Sequence, residues 1–406
     1  MERVPIELWE QILLKVMEMG EAPIFATSCT PYTFLHFVNQ QTLSHWQQKP
    51  RHDYLERLRG LRLVCRTWNK FVLSTSHRWL HLYRGDAMYE LDSTTTSPGC
   101  RRGLGPIEKL STTIDLEKSV IPVLSWVSHI LKRPENHFPL RTYTLRLFAI
   151  PVPGYNPLDD LLVGTTSVQG TKTKTKTKSK TNTTLHSLSI TTSIGLDVSI
   201  AFSQISRTFT GLLSLSLTDV KVAPQQALTL RHLEVLYVNC LPWEVEKMQE
   251  SMETWDTPAL RHVYLGRISI PLMDLLDRFL GRYAHQIESL ILIPIFHPYS
   301  SLLLNLPSGF WDQFTELRLL GLDKWTLEHK EWSGWSVVPP PTHPCRYLVC
   351  RLDTSVGRVV NKIHSIWTWH DGVNLVAGHT NWDRYCVVYG LWVTSMESIY
   401  GVLPEF

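Results

Sequence analysis

The sequence is short of three things: net charge, cysteine and uninterrupted apolar runs. In 406 residues, 40 Lys and Arg stand against 37 Asp and Glu, a net charge of +3. That balance is too small to make nucleic acid or an anionic membrane the default partner. The 7 cysteines are odd in number and scattered, without the dense spacing of a disulfide framework. Reduced thiols in the cytoplasm or nucleus are the expectation. The most apolar stretch, around Ile287 to Phe296, falls well short of the roughly 20 residues a membrane span needs. The opening Met1-Glu2-Arg3-Val4-Pro5 carries no basic-then-apolar leader, so a soluble, unsecreted chain is expected. What is present is apolar content. At 43% hydrophobic residues the chain is too apolar for global disorder and long enough for two or three domains, or one small domain with an extended array.

Ile6, Trp9, Ile12, Leu13, Val16 and Met17 recur at gaps of three and four. This spacing predicts an amphipathic helix, opened by Pro5, whose missing N–H has no partner in a first turn. Leu58, Leu61, Val64, Cys65, Trp68, Phe71 and Val72 predict a second helix, with Arg59, Arg62, Arg66, Asn69 and Lys70 on its wet side. Each stripe needs an apolar partner, from its own module or from another chain.

The run Val4-Pro5-Ile6-Glu7-Leu8-Trp9-Glu10-Gln11-Ile12-Leu13, followed by Leu61-Arg62-Leu63-Val64-Cys65-Arg66-Thr67-Trp68-Asn69 and then His77-Arg78-Trp79, resembles an F-box. Pro5, Glu7, Ile12 with Leu13, and Val64-Cys65-Arg66-Thr67-Trp68 match that family's pattern. The departures are Val4 in place of Leu, Arg78 before Trp79, and an insertion from about Glu18 to Tyr54. Within the insertion, Phe25 to Phe37 is similar to a stretch common in F-box proteins of mushroom-forming fungi. The resemblance covers about the first 80 residues. It implies a three-helix module that docks onto a Skp-type adaptor, itself hung from a cullin in an SCF-type ubiquitin ligase. Adaptor contact is thereby expected of Pro5, Ile6, Leu8, Trp9, Ile12, Leu13, Leu61, Val64, Cys65, Trp68 and Phe71, with Trp68 as the anchor. The same residues could instead form the module's own core.

The rest of the chain repeats the pattern apolar-x-x-apolar-x-apolar. It occurs at Leu185/Leu188/Ile190, Leu212/Leu215/Leu217, Leu233/Leu236/Val238, Leu260/Val263/Leu265, Ile287/Leu290/Leu292 and Leu317/Leu320/Leu322, in steps of 27, 21, 27, 27 and 30 residues. Leucine-rich repeats run at about 20 to 29 residues with a short strand at this motif. Between these strands, Val245, Met248, Met252 and Trp255 share a helical face, as do Leu272, Leu275, Leu276 and Phe279, with Pro242 and Pro271 at the helix starts. Cys345/Leu348/Cys350 continues the ladder, Gly372/Leu375/Ala377 does so weakly, and Val360, Ile363 and Trp367 suggest a helix between them. Upstream, Leu140/Tyr143/Leu145 fits if residues 164–181, with their alternating Thr and Lys, loop out of one repeat. The expected fold class is α/β: a helical module over residues 1–82, a helical linker region over 83–139 with the low-complexity Ser93 to Gly103, and a leucine-rich-repeat-like solenoid of parallel strands and helices over 140–406.

No phosphate loop, nucleophile elbow or His-Glu-x-x-His is present, and neither an enzyme nor a cofactor is expected. His343, Cys345 and Cys350, with His364, His370 and Cys386, are the best metal candidates. The repeat register sends both Cys345 and Cys350 inward as small apolar residues, so no metal is expected either. His370-Asp371 reads as part of a turn. Trp311, Trp332, Trp335, Trp367, Trp369, Trp382 and Trp392 either cap the array or grip a partner. The lysines from Lys172 to Lys180 read as a solvated loop.

Strand alternation turns Thr144, Arg146, Ser189, Thr191, Ser216, Thr218, Tyr237, Asn239, Tyr264, Ile291, Ile293, Asp323, Val349 and Arg351 to the other face of the sheet. Target contact is expected at Tyr237, Asn239, Tyr264, Ile291, Ile293, Asp323, Val349 and Arg351, unless a loop or the chain's own tail covers that patch. The expected function is substrate recognition in a cullin-type ligase, the adaptor held by the module and a target protein by the array. Two other readings stand beside it, a scaffold acting outside any ligase and an enzyme hidden in the Trp-rich third.

Overall fold

The computed structural model describes residues 8–13, 29–44, 58–75, 79–83, 108–115, 140–148, 185–192, 199–200, 202–222, 227–239, 244–268, 279–294, 309–323, 340, 342–345, 347–351, 363–369 and 391–394. Fourteen strands run among these residues: β1 (Trp79–Tyr83), β2 (Lys109–Asp115), β3 (Thr142–Phe148), β4 (Ser187–Thr192), β5 (Ser199–Ile200), β6 (Ser214–Thr218), β7 (Lys221–Val222), β8 (Val235–Asn239), β9 (His262–Ile268), β10 (Ser289–Pro294), β11 (Leu319–Asp323), β12 (Tyr347–Arg351), β13 (Ile363–Trp369) and β14 (Leu391–Thr394). Twelve of them form one sheet in the order β1-β2-β3-β4-β6-β8-β9-β10-β11-β12-β13-β14, while β5 and β7 pair separately. The helices are α1 (Pro31–Ser44), α2 (Arg66–Thr75), α3 (Phe202–Thr208), α4 (Val245–Met252) and α5 (Phe310–Gln313). Residues 8–13 and 58–64 are also helical.

The middle residue of each repeated motif finds the middle residue of the next. Tyr143, Leu188, Leu215, Leu236, Val263, Leu290, Leu320 and Leu348 lie opposite one another on eight neighbouring strands, all parallel. A slip of one residue would turn the aliphatic set of a strand to the opposite face, so the repeat itself specifies this register. Leu110 and Leu80 extend the row to β2 and β1. These two strands depart from the expectation. β1 lies at the end of 1–82, read as helical, and runs one residue past it, and β2 lies within 83–139, read as a helical linker; neither carries enough of the repeat to be seen by periodicity. At the other end β13 pairs antiparallel to β12, and β14 antiparallel to β13. Ile363 and Trp367, expected on a helix, therefore belong to a strand, and the parallel ladder ends at β12. The weak rung at Gly372/Leu375/Ala377, Leu272, Leu275 and Leu276 of the expected helix, and the lysine tract lie outside the described residues, while Phe279 is buried.

Entry into five successive strands uses one backbone device. The N–H groups of Leu212, Leu233, Leu260, Ile287 and Leu317 donate to the carbonyls three residues earlier, of Phe209, Leu230, Thr257, Ala284 and Phe314. Behind the aliphatic face, Met248 and Met252 of α4 are buried with Trp255, as their spacing predicts. Trp255 makes edge-on contacts with Phe202 at 4.9 Å and Phe279 at 6.0 Å, and Phe279 meets Tyr283 at 5.7 Å. Offset and edge-on geometry suits the ring quadrupoles, adding about 0.5–1.5 kcal/mol per pair to the burial itself.

Two non-glycine residues, Asp219 at the end of β6 and Arg267 in β9, take positive φ of 55° and 57°. Arg267 sits where the pairing of β9 with β10 shifts register, a bulge position. The guanidinium of Arg267 pairs with the buried carboxylate of Asp219, and the Thr192 hydroxyl donates to the Asp219 carbonyl. Among the described residues no helix is long and apolar enough to cross a membrane.

Candidate functional site

Two surfaces carry the residues singled out by the sequence. The first is the sheet face opposite the aliphatic row. There the patch expected for a target is already occupied: Tyr237 and Tyr264 are 1% exposed, Ile291 is 2% and Ile293 is 6%. They cluster with Val235 and Leu319 of the same face and with Cys29, Phe34, Leu35, Phe37 and Val38 of α1 and its approach. Residues 29–44 of the inserted segment thus lie over the sheet, and the expectation of a free target grip at Tyr237, Tyr264, Ile291 and Ile293 is corrected. The reason is simple. An apolar patch on a sheet and an amphipathic helix in the same chain each lack a partner, and burial of each large side chain favours their union by about 1.5–3 kcal/mol.

Local chemistry explains why this segment is a helix. Thr30 precedes Pro31, which fits a first helical turn. The Thr30 hydroxyl accepts from the Thr33 N–H at 3.2 Å while the Thr33 hydroxyl accepts from the Thr30 N–H at 2.8 Å, a reciprocal cap. Phe34, Phe37, Val38 and Gln41, at i, i+3, i+4 and i+7, then point to one side. Phe34 stacks on His262 at 5.4 Å, and Phe37 meets Tyr237 edge-on at 6.3 Å. The Gln41 carbonyl accepts from the hydroxyls of Ser189 and Ser216, both at 3.1 Å. These cap and spacing signals stand in the sequence at Thr30, Pro31, Thr33, Phe34 and Phe37; Val235, His262 and Leu319 on the sheet side occupy the unspecified position just before the middle apolar residue of each motif, which the pattern leaves open.

His262 is the polar centre of this contact. Its Nε2 is 3.0 Å from the Cys29 carbonyl, which can only accept, so Nε2 carries the proton. The Ser289 hydroxyl at 3.0 Å then donates to Nδ1 of the neutral ring. Burial lowers the His262 pKa to about 4, with Arg261 and Arg318 acting in the same direction against the hydrogen bond to Cys29. Burial likewise pushes the Cys29 thiol up to about 12, with Glu234 and Glu288 adding to it. At the start of α1 the Cys29 N–H donates to the Glu234 carboxylate at 3.3 Å. Stacked at 4.2 Å and 5°, Tyr237 and Tyr264 form the floor. Gly266 and Gly321 leave it room: a Cβ at Gly321 would stand 2.7 Å from Ile291 Cγ1, and one at Gly266 2.5 Å from Asn239 Oδ1. Asn239 is half-buried at the edge of this face. Asp323, Val349 and Arg351 lie on β11 and β12, and their side chains are outside the described residues. On β3, Arg146 has its pKa lowered by burial and no acidic partner among the described residues.

The second surface is on the amino-terminal helices. Leu13, Leu58 and Val72 are buried, with Leu61 and Phe71 packed partly against the last two. Leu8, Trp9 and Ile12 are exposed by 47%, 40% and 40%, and Leu63 and Val64 by 80% and 59%. Cys65 is exposed and Trp68 half-buried. Trp9 and Trp68 meet at 5.7 Å, joining the two helical segments through their aromatic rings. The stripe expected to act as one face therefore divides: Leu13 turns inward as core, and Leu63, unread as a contact, turns outward. Pro5 and Ile6 lie outside the described residues.

His343, the first of the metal candidates, is engaged on both ring nitrogens. Nε2 donates to the Phe314 carbonyl at 3.0 Å and Nδ1 accepts from the Cys345 N–H at 3.1 Å. Cys345 is buried beside it, as its register predicts. Among the described residues no group of three His, Cys, Asp or Glu side chains could hold a metal ion. Cys350 and His364 side chains, and His370, Asp371 and Cys386, lie outside the described residues. The fold is thus α/β with an open, predominantly parallel sheet and few helices. Comparison with family models, curated proteins and solved structures returned no match.

Proposed function

We propose that the chain is a receptor subunit that joins an adaptor to a target protein, the substrate-recognition part of an SCF-type cullin-RING ubiquitin ligase. The amino-terminal helices are an F-box-like module, and the sheet with its connecting helices is a leucine-rich-repeat-like array. A single observation carries the reading. Leu8, Trp9, Ile12, Leu63 and Val64 are large apolar side chains left 40% to 80% exposed on a module small enough to need them inside. Soluble chains rarely leave so many large apolar side chains bare on two joined helical segments unless they meet another surface. The Trp9 and Trp68 rings join the two segments that carry these side chains, and paired aromatics at a desolvated centre are the usual anchors of an interface.

On this reading the polypeptide performs no bond chemistry. It raises the concentration of a target near a ubiquitin-loaded enzyme bound elsewhere on the cullin. Capture of a purified Skp-type adaptor by the full chain tests the proposal. Trp9→Ala and Trp68→Ala should each weaken capture by about 2 kcal/mol, near thirtyfold in Kd. Both substitutions sit outside the main sheet, so thermal melting of the sheet should move little. Undiminished adaptor capture by the double variant, or no capture by the unaltered chain, rejects the assignment.

A further inference from the structure

We infer that the second sheet face is an oriented cradle for an amphipathic helix, that α1 is the ligand it holds in cis, and that a target protein enters by presenting a helix of the same pattern in its place. The inference rests on the receptor reading above and names the element of the target that would be recognised.

The face fits a helix axis. From Phe34 over His262 of β9 to Gln41 over Ser189 and Ser216 of β4 and β6, the contacts descend strand by strand across the sheet. Seven residues advance about 10 Å along a helix. Two to three strand spacings measure about 10–14 Å. The helix therefore lies across the strands and touches them in turn.

The charges of the face follow helix polarity. Glu234 meets the amino end through the Cys29 N–H. In line beyond Gln41 comes β3, which presents Arg146, without an acidic partner among the described residues. A carboxylate at the start of a helix and a cation toward its end complement the peptide dipole. They serve any helix laid in that direction, not α1 alone. The side-chain reading is equally general: two aromatics, a β-branched residue and an amide at i, i+3, i+4 and i+7 form the pattern of helix-in-groove recognition.

α1 is also a foreign element in the architecture. It belongs to no repeat of the sheet, and residues 14–28 and 45–57 tie it on either side to the helices that bear the exposed apolar cluster. A partner helix of like pattern replaces each contact with its equivalent. What it must overcome is the intramolecular advantage of a competitor on the same chain.

The test uses the full chain and a fluorescent synthetic peptide of residues 29–44. In the Phe34→Ser/Phe37→Ser chain α1 loses its hold, and peptide binding should tighten about tenfold or more over the unaltered chain, because apparent affinity scales with the open fraction. Adding Tyr237→Arg should abolish that gain. A Phe34→Ser/Phe37→Ser chain that keeps the circular dichroism of the unaltered protein yet binds no better overturns the inference. If that chain does not fold, hydrogen exchange on the unaltered protein decides: α1 amides exchanging about tenfold faster than those of β6 and β8 support an opening occupant, and equal protection overturns it. Adaptor capture is measured in the same samples. Capture with no peptide gain sinks this inference alone; failure of the unaltered chain to capture adaptor sinks the receptor reading with it.

Discussion

Acid should loosen the contact between α1 and the sheet through one residue, His262, by an amount the structure sets. The ring is fully buried, and its pKa falls from the ordinary 6.5 to about 4 because burial disfavours the imidazolium. Below 6.5 the unfolded chain takes up a proton that the folded chain refuses. Stability contributed by the neutral ring is therefore complete above 6.5, declines as pH falls, and is gone below about 4. The whole shift corresponds to roughly 3 kcal/mol, of which about 2 kcal/mol is lost by pH 5. Urea unfolding of the unaltered chain and of His262→Gln, followed by tryptophan fluorescence near pH 7.5 and near pH 5, isolates the effect. Carboxylates are common to both chains and cancel in the difference. The stability gap between the two should shrink by about 2 kcal/mol on acidification. A gap independent of pH would mean that His262 does not titrate out of a buried neutral state, and the reasoning would be refuted.

Gly321→Ala should cost about 1–3 kcal/mol by forcing a methyl into Ile291, seen as a lower calorimetric midpoint; an unchanged midpoint would show that the floor under α1 has slack. Gln41→Ala strips the shared acceptor from the Ser189 and Ser216 hydroxyls and should lower stability by about 1–3 kcal/mol in the same urea assay, and a neutral result would mean that those hydroxyls find other acceptors. Iodoacetamide at neutral pH should alkylate the exposed Cys65 and spare Cys29, whose thiol is buried and held protonated by a pKa near 12. Peptide mass spectrometry reads the two sites apart, and equal labelling contradicts the burial of Cys29.

The periodic part of the fold was legible because its cause is local. A strand with apolar residues at fixed offsets has one way to bury them, and neighbours built alike align in register, so Tyr143 through Leu348 could be paired on paper. β1 and β2 were not legible, since Leu80 and Leu110 stand in strands with little of the motif around them. β13 was misread for a different reason: Ile363 and Trp367 sit four apart, a helical spacing, yet an open sheet edge at β12 offers backbone hydrogen bonds that outweigh so short a pattern. The candidate site divides along the same line. Trp9 and Ile12 could be marked from their stripe as apolar side chains in need of a partner, but the inward turn of Leu13 and the outward turn of Leu63 depend on how the helical segments meet.

By itself the sequence determined which side chains seek burial and at what interval: the aliphatic rungs, the stripes of the amino-terminal helices, and an apolar patch at Tyr264, Ile291, Ile293 and Val349. Only the tertiary structure decided what each of these meets. Tyr264, Ile291 and Ile293 are covered by α1, through Phe34, Phe37 and Val38, while Leu8, Trp9 and Ile12 stay exposed. The physical reason is that hydrophobic attraction is non-directional. An amphipathic surface states that it needs a partner, and the geometry of the whole chain chooses which one.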